Sequence, residues 1–415
     1  MGRPQLAAWL VVAVCFAALS VSFSARSVLG LAMPYLEAEL DWSRSFVSTG
    51  GAVALVLMAV TAPIAGNMVD RFGPRVLLGG GLAAVGLGMA MTAGMTAQWQ
   101  FIAAFSLFAG IGFGMAANHV VSTIVSLRFA VNRGLAVGIA TSGSTAGQLL
   151  VVPVLAGVLA TVGWRWSYLT LGLVSLALVP VVFMLIRRPP RIDRRAAGQT
   201  LEPLRDRLGA LWRSPVFQLL FWSFTICGFT TSGVIETHLL PYAAACGFPP
   251  LDSAAAYGVL SAFNLFGMVL AGYLTDRMHR PLLLGAIYIL RGLSFVLLMF
   301  VARDLSLLFV FAVMFGVFDY STVPVTASLV ASHLGLRVMG LTMGLLSAGH
   351  SLGAAVGAFL GGVLFDLFAR YQSVWLASIA LALFAGVLAL SIREDRPRAG
   401  VWARPAPVPV PGGAG

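Results

Sequence analysis

A chain of 415 residues that is 59% hydrophobic, only 10% charged and has a mean hydropathy of +0.93 holds more apolar side chains than one water-soluble core can bury, so lipid is its expected solvent. All 26 basic residues are arginine, which excludes the lysine of a Walker-type phosphate loop and with it an ATP-driven pump in this chain. The formal charge of +11 lies in short loops between apolar stretches, so membrane topology accounts for it and nucleic-acid binding is not expected.

Crossing roughly 30 Å of hydrocarbon takes about 20 apolar residues, and breaking the chain at its polar punctuation predicts twelve spans. The first, 6–34, is too long for the core of a signal peptide and is read as a retained helix, with Arg26 in its outer third. Spans 2 and 3, 46–69 and 75–96, flank a glycine- and arginine-rich turn. Span 4, 100–126, carries Asn118 and His119, which point roughly 100° apart, so the two are not expected to face a cavity together, and Asn118 is favoured by a narrow margin. Span 5, 134–162, carries Gln148, and span 6 covers 167–186. The stretch 187–214, with Pro189, Pro190 and Pro203 among mixed charges, reads as a hydrophilic linker between an N-terminal unit, 1–186, and a C-terminal unit, 215–392. In the second unit, span 7 (216–243) carries Glu236 and His238, span 8 (253–275) Asn264, and span 9 (281–302) Arg291. Span 10 (306–330) carries Asp319 and Tyr320, span 11 (338–364) carries His350, and span 12 is 373–392. The proline-rich tail, 393–415, is expected to be extended and is given no role. Cys15, Cys227 and Cys246 are scattered and read as small apolar fillers.

Placing both termini in the cytoplasm puts twenty arginines inside, eight of them between Arg187 and Arg213, against four outside. That asymmetry sets the expected orientation, a multi-pass protein of a bacterial inner membrane.

Two motifs repeat at one offset. The turn from Gly66 through Asp70 and Arg71 returns as Gly272 through Asp276 and Arg277, 206 residues later, the first copy ending on Arg75 and the second on Arg280. Gly138, Gly143 and Gly147 of span 5 return at the same offset as Gly344, Gly349 and Gly353 of span 11. Six spans separate the copies, so the halves keep one orientation and are expected to relate by a pseudo-two-fold along the membrane normal. With Gly66, Asp70, Arg71, Gly73 and Arg75, and Pro74 in place of one basic residue, the first turn resembles the loop signature of the major facilitator superfamily, and the resemblance covers nearly the whole chain. It implies an all-α membrane protein, two six-helix bundles that rock about a central site. It also implies that Asp70 and Asp276 cap neighbouring helix ends and that Arg71, Arg75, Arg277 and Arg280 pair with them as a gate on the cytoplasmic face. The segment Leu127 to Ala140, the run Asp41-Trp42-Ser43-Arg44 and the run Gly163-Trp164-Arg165 are similar to monocarboxylate transporters and bacterial oxalate/formate exchangers. Those relatives place an arginine in span 8 where this chain has Met268, and some an aspartate where it has Asn264.

A charge at bilayer depth costs about 2.5–3.5 kcal/mol on insertion scales, which marks each one as a candidate for binding, coupling or gating. Arg291 and Asp319 reach mid-bilayer from opposite sides and are expected to pair, either as a structural pair or with Asp319 exchanging a proton while Arg291 meets a carboxylate. Arg26 and Glu236 lie on repeat-related spans; they are expected either to close an outer gate or to serve, Arg26 as an anion anchor and Glu236 in proton coupling. Asn118, His119, Gln148, Asn264, Tyr320 and His350 complete the expected binding set, His350 standing where the first half has Ser144. No catalytic triad, metal cluster or cofactor loop is present at meaningful spacing. The expected function is proton-coupled movement of a small organic monocarboxylate by a monomer, with efflux of amphipathic drugs and a non-transporting membrane sensor as alternatives.

Overall fold

The computed structural model describes residues 3–186, 202–301, 304–368 and 370–394; most of the predicted linker, 187–201, and the tail from 395 lie outside them. Twelve helices are long and apolar enough to span a membrane, and no strand occurs among the described residues. They run Gln5–Leu40, Ser45–Phe72, Pro74–Ala93, Gln98–Ser126, Arg133–Val162 and Trp164–Leu185, then Pro215–Ala245, Leu251–Thr275, Arg280–Leu298, Leu305–His333, Met339–Phe368 and Gln372–Leu390. Each predicted span falls on one of them. Several extend past the predicted bounds because a helix need not stop where the hydrocarbon does: its polar last turns are solvated or capped. Ser43 accepts from Phe46 N at 3.3 Å to start span 2, and Asp304 accepts from Ser306 N at 2.8 Å to start span 10.

The packing obeys the repeat. In the first half span 3 packs on 6, 1 on 6, 1 on 5, 2 on 4 and 3 on 4; in the second, 9 packs on 12, 7 on 12, 7 on 11, 8 on 10 and 9 on 10. Adding six to each span number converts one set into the other, which is the pseudo-two-fold. The main contacts between halves, span 2 on 11 and span 5 on 8, exchange under the same operation.

Glycine makes those contacts possible. A Cβ on Gly340 would stand 2.5 Å from the Gly66 carbonyl oxygen, and one on Gly134 2.5 Å from that of Gly272, so the backbones meet where a methyl group would block them. At the opposite end, Glu39 ties span 1 to span 6, accepting from Trp164 Nε1 at 2.6 Å and Arg165 Nη2 at 3.0 Å. Arg165 reaches on to the carbonyls of Ala93 and Met95, both at 3.0 Å.

Two segments outside the spans also carry structure. Part of the linker is a helix, Leu204–Arg213, with Asp206 in its first turn and Arg213 in its last, the order a helix dipole favours. Its Leu204, Leu208 and Leu211 share one face and pack on the main core. The tail also begins packed, since Glu394 pairs with Arg280.

Candidate functional site

At the arginine-rich ends, each motif aspartate caps a helix of the other half. Asp70 Oδ1 accepts from Gly340 N at 2.9 Å and Oδ2 from Leu341 N at 3.0 Å; Asp276 Oδ1 accepts from Gly134 N at 2.8 Å and Oδ2 from Leu135 N at 2.9 Å. Every atom of the second set lies at the 206-residue offset from the first, with the halves exchanged. A carboxylate on the first amides of a helix satisfies orphan donors and meets the positive end of the dipole. The two caps therefore hold the arginine-rich ends of the halves together.

Among the described residues no ion pair within 4.0 Å joins a motif arginine to these aspartates, and the side chains have other contact partners. Arg71 is exposed, Arg75 donates to the Phe183 carbonyl at 3.4 Å and lies over that ring, and Arg277 lies 3.7 Å over Tyr273. Arg280 binds Glu394 and the Ser328 carbonyl and hydroxyl. Among the described residues, Arg207 of the linker helix brings a guanidinium to Asp70, 3.5 Å from Oδ2 and 3% exposed.

Mid-bilayer, helices are interrupted. Span 10 stops at Phe318 and restarts at Thr322; Pro324 has no N–H to offer the Tyr320 carbonyl, so the break is local chemistry. Span 4 breaks at Ala116–Ala117 and restarts at Asn118, the repeat mate of Pro324. Span 7 winds as a π-helix over Phe229–Ile235, and span 5 does so over Gly147–Val151, around Gln148. Interrupted helices of this kind expose backbone groups where a solute or ion can use them.

The break in span 10 places Asp319 in a buried network. Its Oδ1 accepts from Thr231 Oγ1 at 2.7 Å, and Oδ2 accepts from Asn264 Nδ2 at 3.2 Å. Arg291, 0% exposed, donates from Nη1 to Cys227 Sγ at 3.0 Å, Thr231 Oγ1 at 3.1 Å and the Asp319 carbonyl at 3.4 Å. Among the described residues no contact within 4.0 Å joins this guanidinium to the Asp319 carboxylate, so the expected ion pair is instead bridged by the Thr231 hydroxyl. Cys227 is no mere filler: it is Arg291's acceptor and also meets Thr322 Oγ1 at 3.5 Å.

Arg26 and Glu236 do not close on each other. Glu236 Oε1 accepts from the Tyr320 hydroxyl at 2.8 Å, while Arg26 lies 4.6 Å over the Phe23 ring and 3.9 Å from Met58 Sδ. Arg26 nevertheless lies within electrostatic reach of Tyr257 and Tyr320 of the other half. Gln148 and His350 are part-exposed, and the His350 ring packs 5.1 Å from Phe224. Asn118 is part-exposed and His119 is buried, with Asn118 Oδ1 and His119 Nε2 both unpartnered. His238 is held by the Ala358 carbonyl at 3.0 Å and the Tyr371 ring. Met268 packs into span 5, its Sδ 3.8 Å from Thr145 Oγ1. Among the described residues no cluster of His, Cys, Asp and Glu has the spacing of a metal site.

Sequence reasoning missed Arg207, Thr231, Cys227, Tyr257 and Glu394. The repeat offset held a signal for the first, since positions 74 and 339 lack the arginines present at 280 and 133.

A family model described as Major Facilitator Superfamily matches residues 15–290 and 264–411. An uncharacterized MFS-type transporter of Bacillus subtilis (strain 168), YcxA, is 25% identical over 366 residues, covering 86% of this chain and 88% of that one. Human monocarboxylate transporter 11 is 28% identical over 405 residues, 94% of this chain and 84% of that one. The crystal structure of the human organic anion transporter MFSD10 superposes with a TM-score of 0.71 at 18% identity, covering 94% of this chain and 100% of that one.

Proposed function

This chain belongs to the major facilitator superfamily, and from that premise we propose that it moves a small organic monocarboxylate across the membrane by alternating access, coupled to protons. In this reading the arginine-rich ends and both termini face the cytoplasm of a bacterial cell, and the chain acts as a monomer. Closed caps at those ends leave the solute space open on the other side. One observation carries the choice of an anion: Arg26 is part-exposed at bilayer depth, and no carboxylate lies within 4.0 Å of it among the described residues. A guanidinium held there without a carboxylate partner is a ready receptor for one. In this reading Tyr320 and Tyr257 lie near it, and the part-exposed Gln148, Asn118 and His350 border the solute's path. Arg291, fully buried and engaged by Cys227 and Thr231, keeps its charge beside Asp319 rather than meeting solute, and Asp319 with Glu236 takes the proton.

In proteoliposomes, labelled lactate is expected to accumulate under an inward proton gradient, and Arg26→Ala to cut the rate about tenfold or more, the loss of one charge-assisted hydrogen bond. Vesicles that accumulate a labelled cationic dye and not lactate would overturn the reading. They would favour efflux of amphipathic solutes, for which the apolar flank of Arg26, Phe23 and Met58, speaks.

A further inference from the structure

The two caps are equivalent in their backbone bonds and unequal in their cations. Around Asp276 the charge is supplied from within the spans: Arg133, at the start of span 5, and Arg280, at the start of span 9, both interact with it electrostatically. Their repeat mates are Met339 and Pro74, which carry no charge. At Asp70 a guanidinium comes instead from the segment that joins the halves. Arg207 lies 3.5 Å from Asp70 Oδ2 and donates from Nη2 to Asn67 Oδ1, one turn earlier on span 2. The mate of Asn67 is Tyr273, which holds its own motif's Arg277, so nothing among the described residues of the second half reproduces this arrangement. Arg207 is placed there by a helix whose leucine face is seated on the core, and burial to 3% exposure makes the pairing costly to lose.

We propose that Arg207 is a positioning residue of the gate, holding Asp70 on the first amides of span 11, so that the Leu204–Arg213 helix must undock before the arginine-rich ends part. The proposal rests on the alternating-access reading and on no particular solute. The two caps of this gate therefore release by different means: one by separating spans, the other by also releasing a strap in the chain that links the halves.

The test uses Met339→Cys, at a position 0% exposed in the closed arrangement, in a Cys246→Ser background, with Cys15 and Cys227 left buried. A membrane-impermeant maleimide is applied from the arginine-rich side of vesicles, without solute. Arg207→Ala is expected to raise the labelling rate of the introduced thiol several-fold, and Arg207→Lys, which keeps the charge but loses the forked reach to Asp70 and Asn67, to fall between. Arg213→Ala, on the same helix, is expected to leave the rate unchanged. In an Asp70→Asn background, Arg207→Ala should add nothing further. An unchanged rate in Arg207→Ala, full additivity with Asp70→Asn, or labelling of the Arg207→Ala chain that lacks Met339→Cys would each overturn the proposal. Because no solute enters the measurement, its failure leaves the lactate reading standing, and a failure of lactate uptake leaves this result intact.

Discussion

Thr231 stands between the two charges of the C-terminal half, and its hydroxyl is fully used: it donates to Asp319 and accepts from Arg291. Thr231→Val keeps the shape and strands both partners, which for buried charged groups costs about 1–3 kcal/mol or more. Thermal unfolding in detergent should show that loss, and a shift no larger than that of Thr161→Val on the exposed face would refute the bridge. Asp319→Asn preserves the contacts with Thr231 and Asn264 in outline but carries no titrating proton. Under the proposed coupling, lactate counterflow should survive in this variant while its dependence on pH disappears; an unaltered pH profile would remove Asp319 from coupling. Arg291 and Asp319 are legible in the sequence because a charge in an apolar run has few innocent explanations. Thr231 and Cys227 are not, because small polar residues are common in such runs and their partner lies 60 and 64 positions away along the chain.

At the scale of elements, the number and order of the spans were legible and their ends to within about six residues, since length and hydropathy decide them and lipid enforces the decision. Their interruptions were less so. Pro324 signals the break in span 10, whereas span 4 breaks at Ala116–Ala117 with no proline, and only its match to span 10 makes it intelligible. The glycine contacts give a direct test of the closed gate. Gly340→Ala and Gly134→Ala each place a methyl 2.5 Å from a carbonyl oxygen of the other half, whereas Gly362→Ala meets nothing within 4 Å. The first two are expected to raise maleimide labelling at Met339→Cys and the third to leave it at the starting rate; equal behaviour of all three would show that the contacts do not matter to closure.

For the whole molecule, both caps lie at the arginine-rich end, so that end parts only when spans 2 and 11 and spans 5 and 8 have both separated. Spin labels at Phe72 and Leu336, both exposed beside the first cap, should give one short distance in the wild type and a second, longer population in Asp70→Asn. A single unchanged distance would mean that the cap does not hold the halves. The overall architecture could be read from the 206-residue offset because duplication leaves its mark on sequence. The crossing of the caps between halves could not, since which helix end an aspartate reaches is a matter of packing. That crossing has a further consequence. Among the described residues the first amides of spans 5 and 11 are met by a carboxylate from the opposite half, so under the proposed alternating access two backbone N–H groups at each start lose that acceptor when the halves part. Phosphate or an anionic lipid headgroup would fill such a place readily, and the ionic make-up of the surroundings thereby enters the balance between the two ends of the cycle.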